Sequence, residues 1–183
     1  MREALRTDLA RQLHEDWLWA FETHRHHGAY VPNADQSGRR ALAGLALTML
    51  CLHAVNQGDE VGQGKTLQAF KDASNMTDRF NALSALVQSG SGLAEGALQR
   101  FHAMYQHEAL VIDKWFALQG SACDRAGDVL PKVKQLLLHP AFEIKNPNRA
   151  RSLIFSYCNA NPAGFHRTDA AGYVLWADKV LEL

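Results

Sequence analysis

The segment GDEVGQGKT, Gly58 to Thr66, ends in Gly64-Lys65-Thr66, which is how a phosphate-cradling loop closes. Such a loop needs a second glycine, at the position held here by Asp59, so that backbone N–H groups can wrap the phosphates. A carboxylate there would face the phosphates, and no strand pattern precedes it, so a flexible link between helices is the preferred reading. His14-Glu15 opens like HExxH, the helical motif that sets two histidines on one zinc ion, but Leu18 stands where the second histidine belongs. His24, His26 and His27 cluster near a helix end. Histidines there gain from the helix dipole and the terminal carbonyls, so capping is preferred to metal binding. Serines, histidines and aspartates are plentiful, yet no GxSxG elbow is present to present a nucleophile.

Two polar groups remain. Asp113 and Lys114 precede Trp115 in an otherwise apolar run, as a buried pair or, preferably, a solvated face. Asn146, Asn148, Arg149 and Arg151 open a helix after Pro140. Asn-Pro favours a turn and asparagine caps helices, so a turn pinned by hydrogen bonds is preferred. The competing reading is a cleft-facing guanidinium that recognises a carboxylate. Asn148, Arg149 and Arg151 are therefore the candidate cavity-facing residues. No catalytic set and no metal-ligand set can be assembled from the chain.

The elements that would position these groups read as helices. Leu5, Leu9, Leu13, Trp17 and Phe21 recur at one spacing, which predicts a helix from Leu5 to Phe21. A second helix starts after Asp35 or Ser37 and runs to about Val55; it is apolar on most sides and should be central, with Leu42, Leu45, Met49 and Leu52 on one face. A Gly-rich break follows. Asn75 or Thr77 can cap the next helix, whose buried face is Phe80, Leu83, Leu86 and Val87. Helical patterns continue over Leu93–Tyr105 and Leu110–Leu118. Asp128 can cap another helix, Arg149–Tyr157 is helical, and a last helix begins near Thr168 or Asp169. No alternating run is long enough for a strand. The expected fold class is all-α, a superhelical or solenoid-like stack of antiparallel helix pairs, in a single domain over residues 1–183.

Composition bounds the function. Apolar residues are 47% and charged residues 21%, which excludes disorder. Nineteen Lys and Arg balance nineteen Asp and Glu, so neither a phosphate-neutralising nucleic-acid module nor a polybasic membrane surface is expected. The longest apolar run, Leu42 to Leu52, falls short of the roughly 20 residues of a spanning helix. The three cysteines, Cys51, Cys123 and Cys158, form no CxxC pair, and Cys51 and Cys158 sit in apolar helical patterns as core residues. The N-terminal segment lacks the apolar core of a secretory signal, so a reducing, cytoplasmic setting is expected.

NADQSGRRAL (Asn33–Leu42), SNMTDRFNALSALV (Ser74–Val87), LVIDKWFALQ (Leu110–Gln119), HPAFEIKNPNRARSLI (His139–Ile154) and NPAGFHRTDAAGY (Asn161–Tyr173) stand in this order and at these separations. Together they resemble the C-terminal helical domain of the bacterial aminopeptidase N family of zinc metalloaminopeptidases. The resemblance covers essentially the whole chain. It implies a superhelical stack of helix pairs that caps a catalytic domain, in a parent enzyme that removes N-terminal residues from peptides. In that family zinc is held by HExxH and a downstream Glu, and a GAMEN loop binds the substrate's amino terminus. This chain contains neither string, so no catalytic or metal residue is assigned to it and zinc is expected in the parent alone.

The resemblance also implies that the parent domain begins before Met1 and continues past Leu183. The final pattern, TDAAGYVLWADKVLEL, stops without a Gly, Asn or Pro to close its helix, which fits a piece of a longer chain. The expected partners are the parent's catalytic domain and short peptides, with no nucleic acid and no membrane. A free-standing helical scaffold for protein interaction is the alternative. Truncation should leave apolar faces exposed, on the first helix at Trp17 and Phe21 and on the last at Val174, Leu175, Val180 and Leu181.

Overall fold

The computed structural model describes residues 2–25, 28–125 and 127–182. Among them there are helices and no strands, which bears out the all-α class. The helices gather into two compact units, Met1–Ala97 and Leu98–Leu183.

In the first unit, α1 (Arg2–Gln12) and α2 (His14–His24) replace the single helix expected from Leu5 to Phe21. The break is small. Leu13 leaves helical geometry at φ −105°, while Leu13 N still donates to Leu9 O and Trp17 N to Leu13 O. The indole Nε1 of Trp17 donates to Leu9 O at 3.0 Å, across the break. Spacing in sequence carries no sign of so local a bend.

Helix α3 (Ala34–Gln57) is central to this unit and packs against α1, α2, α4 (Glu60–Asp72) and α5 (Met76–Ser89). Asn33 Oδ1 accepts the N–H of Gln36 at its start, and Gly58 ends it in the left-handed region. Met49 and Leu52 of the expected face are buried, but Leu45 is exposed. Alanines at 43, 46 and 54 take the inward direction instead. Small residues let helices approach closely: a Cβ on Gly44 would lie 2.5 Å from Asn81 Nδ2 on α5.

The Gly-rich segment expected as a flexible break is α4 itself. Asp59 caps it by accepting the N–H of Gly62, and Gly64, Lys65 and Thr66 lie in the helix body. A side chain on Gly62 would meet Ala54 Cβ at 2.8 Å, so glycine serves close packing at that position. Asn75, one of the two expected caps, starts α5, and Gly90 closes it.

Helix α6 spans Ala94–Tyr105. In the second unit, α7 (Ala109–Gly120) buries Ile112, Trp115, Phe116 and Leu118, and Trp115 Nε1 donates to Leu98 O at 3.0 Å. Helix α8 (Val129–Leu137) turns Val129, Leu130, Val133 and Leu136 inward. Asp128 precedes it but makes no side-chain cap; its backbone is already helical, so its carboxylate is not aimed at the free N–H groups.

The helix expected over Arg149–Tyr157 is a composite. It comprises α9 (Pro147–Ala150), a π-helical segment (Arg151–Phe155) and α10 (Ser156–Ala160). After α11 (Pro162–Phe165), α12 (Ala171–Leu181) starts later than expected, beyond Ala170 at φ 58°. Asp169 Oδ1 accepts the N–H of Ala171.

The exposed apolar faces differ in detail from expectation. Trp17 is half-buried against Ala10, Met49 and Leu52, Phe21 is half-buried, and Leu175 is buried. Trp19, Leu5, Val174, Val180 and Leu181 are exposed. Periodicity separates apolar from polar faces but does not say which apolar residue on a wide face points inward. Among the described residues, no helix is long and apolar enough to cross a membrane.

Candidate functional site

Asn146 sets the site's frame. Its Oδ1 accepts the N–H groups of Asn148 at 3.0 Å and Arg149 at 3.3 Å, and Pro147 occupies the first helical turn with its fixed φ. This is the hydrogen-bonded turn preferred from the sequence. It sends consecutive side chains in different directions.

Arg149 points inward and is 7% exposed. Its Nε donates to Asp113 Oδ1 of α7 at 2.6 Å, its Nη2 to Ala109 O at 3.5 Å, and its Nη1 to Ala141 O. The guanidinium also lies over the Phe116 ring, 5.1 Å from the centroid. One side chain therefore binds the loop at Ala141, the start of α7 and the start of α9 together. A charge this buried is tolerable only because it is paired and hydrogen-bonded.

Beside this tie, His139 sits in an aromatic cluster with His102, Trp115 and Phe116, at centroid distances of 5.0, 5.3 and 5.7 Å. Its Nδ1 accepts the N–H of Ala141. Burial pushes its pKa below the usual imidazole value, and the neighbouring His102 and Arg149 push the same way. A neutral ring is what the acceptor role of Nδ1 requires.

Asn148 and Arg151 point outward. Both are exposed and line a shallow, open surface cleft of about 330 Å³ with Lys114, Asp113, Ala117 and Ser152. The floor is stiff. Gly120 of α7 faces the π-helical segment so closely that a Cβ would meet Leu153 O at 2.9 Å and Tyr157 N at 3.3 Å. Ser152 Oγ donates to Arg149 O, joining the cleft to the buried tie. π-helical turns are uncommon and often mark functional positions. This one places Arg151 and Ser152 on the cleft side while Leu153 is fully buried.

Of the three candidate residues, then, Asn148 and Arg151 share a cleft, and Arg149 is held away from it by Asp113. Asp113 is not part of a solvated face with Lys114; it is the partner of Arg149. The available signal was a carboxylate within the apolar run of α7, without any indication of its distant partner. A second polar knot was missed. Asn161, 3% exposed, donates to Ala122 O at 2.8 Å and accepts the N–H of Gly164, while Tyr157 OH donates to Gly164 O. Burial, reinforced by Asp124, pushes Tyr157 up to about 12.

The remaining candidates are dispersed. His14 stacks on His53 at 4.2 Å, and His24 meets the edge of Trp19. His26 and His27 lie outside the described residues. Among the described residues, no three His, Cys, Asp or Glu side chains are placed to hold a metal ion, so those present do not fit a zinc site.

Comparison with known proteins agrees with this architecture. The family described as a domain of unknown function (DUF3458_C) with ARM repeats matches residues 1–183. ARM repeats are stacked helices, the solenoid-like class expected from the sequence. Aminopeptidase N of Caulobacter vibrioides is 38% identical over 96% of this chain and 19% of its own length. Aminopeptidase N of Escherichia coli is 34% identical over 100% of this chain and 20% of its own. Among solved structures, Legionella pneumophila aminopeptidase A in complex with aspartic acid superposes with a TM-score of 0.82 at 28% identity, over 99% of this chain and 21% of that one. The chain thus spans about a fifth of the length of the curated relatives it matches.

Proposed function

The chain belongs to the DUF3458_C family of ARM-repeat domains, the C-terminal helical part of aminopeptidase N-type chains, and from this we propose that it is a non-catalytic wall of such an enzyme's substrate cavity. In this reading the parent removes N-terminal residues from peptides. The helical part caps the cavity, admitting short peptides and excluding folded proteins. Its partners are the parent's catalytic domain and the peptide, in a cytoplasmic setting, with no nucleic acid and no membrane.

The observation that carries the reading is the contrast between two arginines two residues apart. Arg149 is consumed by Asp113 and the carbonyls of Ala109 and Ala141, which makes the base rigid. Arg151 stands exposed over the cleft with Asn148 and Lys114. A guanidinium and an amide on a fixed backbone can receive a peptide's carbonyls or carboxylate, because planar, charged donors suit planar acceptors.

Zinc, in this reading, is held by the parent's other residues and supplies the activated water there. The side chains of this chain wall the cavity and orient the peptide. The test is direct. The purified 183-residue chain, supplied with zinc and an aminoacyl anilide, is expected to show no turnover above buffer. Robust zinc-dependent hydrolysis would overturn the reading. In the parent, loosening this wall should raise cleavage of long peptides relative to tripeptides, and an unchanged ratio would remove the access role.

A further inference from the structure

We propose that the first unit carries a second ligand site, a cleft among α2, α3, α4 and α5 that binds the zwitterion of a free amino acid or short peptide, its carboxylate on Arg40 and Lys65. The cleft encloses about 660 Å³, within the roughly 300–1,000 Å³ of small-molecule sites. It uses none of Asn148, Arg149 or Arg151, so it stands or falls apart from the access reading.

Arg40 is the anchor. It is 3% exposed, and it lines the cleft. Its Nη1 donates to Gln36 Oε1 and its Nη2 to Val31 O, both at 2.9 Å, and the Tyr30 ring covers one face at 4.4 Å. These acceptors are neutral. Of the five N–H donors a guanidinium carries, only these two have acceptors among the described residues, and no carboxylate there is paired with it. Arg149 shows the contrast: equally buried, it holds Asp113. A buried cation without a counter-charge is costly unless something supplies one.

The remaining walls define what that something is. Lys65 is exposed on α4 and adds a second cation. Arg25 and Glu22 neutralise each other at 3.0 Å. Asp72 and Asp78 line the same cleft and supply negative charge. A dianion such as phosphate would meet both carboxylates, whereas a ligand with one carboxylate and one ammonium is matched at both ends. Phe21 and Leu47 add apolar surface that suits an aliphatic side chain. The close α3–α5 approach at Gly44 and Asn81 keeps the floor fixed, and Asn81 Nδ2 donates to Arg40 O.

Calorimetric titration of the 183-residue chain with the dipeptide Ala-Leu, with its C-terminal amide and with inorganic phosphate tests the site; free leucine distinguishes amino acid from peptide as the better occupant. Saturable binding of Ala-Leu is expected, with the amide and phosphate at least about tenfold weaker. Lys65→Glu, at an exposed position, should weaken Ala-Leu by at least about tenfold with the melting temperature unchanged. Arg40→Lys, which keeps the charge but loses the planar fork, should weaken it too. No saturable binding of either Ala-Leu or leucine, equal affinity for the amide, tighter phosphate binding, or an unaltered Lys65→Glu variant would each overturn the proposal.

Discussion

Arg149 Nε and Asp113 Oδ1 lie 2.6 Å apart although 36 positions separate the two residues in the chain. The pair joins α9 to α7, with side chains only 9% and 17% exposed. Removing Asp113 alone strands a buried guanidinium. Asp113→Ala should cost about 3 kcal/mol, near the lower end for breaking a buried pair, read as a fall in the urea midpoint. The double replacement Asp113→Leu, Arg149→Met should recover much of that loss. Equal loss in the single and double variants would show that the pair is not the source.

Two glycines of α4 should respond in opposite directions. A Cβ on Gly62 would meet Ala54 Cβ at 2.8 Å, whereas nothing lies within 4 Å of one on Gly64. Gly62→Ala should destabilise by about 1–3 kcal/mol through overpacking. Gly64→Ala should stabilise by about 0.5–1 kcal/mol, because alanine restricts the unfolded chain and favours helix. Thermal melts of the two variants read both signs. A phosphate loop would not tolerate the change at Gly64, so a stabilised Gly64→Ala also tests the helical reading of GQGKT.

His139 makes stability depend on pH. Its folded pKa lies below the ordinary 6.5, by burial first and then by His102 and Arg149. The unfolded state therefore binds the proton more readily. Its stabilising contribution is complete above pH 6.5 and is lost as pH falls through the depressed folded value. His53 is lowered the same way, chiefly by burial and then by His14. Urea midpoints between pH 7.5 and 5 should fall, and His139→Gln should flatten the fall. An unchanged slope in that variant would remove His139 as a cause.

Arg151 tests the access reading in the parent enzyme. It is exposed, so Arg151→Ala should change stability by less than about 0.5 kcal/mol. Loss of one charge-assisted contact to a peptide should lower kcat/KM for a tripeptide about tenfold. An aminoacyl anilide, with no carboxylate to reach the cleft, should be affected less.

Leu181, Val174 and Val180 of α12 are 85%, 57% and 51% exposed. An apolar face of this kind favours association in water. The 183-residue chain should self-associate at high concentration in light scattering, and Val174→Lys with Leu181→Lys should reduce it. A clean monomer of the unaltered chain would argue against a sizeable patch.

The pattern of local order could be read directly. Asn75 was legible as a helix start because capping is decided within a few residues of the cap, whereas the helix expected after Asp35 or Ser37 is capped earlier, by Asn33. Gly58 to Thr66 was misread as a break because glycine propensity opposes helix, and the tertiary gain from packing Gly62 on Ala54 cannot be seen locally. The resemblance strings, including HPAFEIKNPNRARSLI, located the polar knot at Asn146–Arg151 but not the direction of each side chain within it.

By itself the sequence determined the helical class, the family and the candidate residues, since periodicity, capping and motif order are properties of neighbouring positions. Only the tertiary structure decided that Arg149 turns inward to Asp113, that Arg151 stands over a cleft, and that no carboxylate among the described residues pairs with the buried Arg40. Those outcomes depend on which distant helix supplies a counter-charge. A guanidinium looks the same in sequence whether its partner is 36 residues away or is a ligand still to arrive.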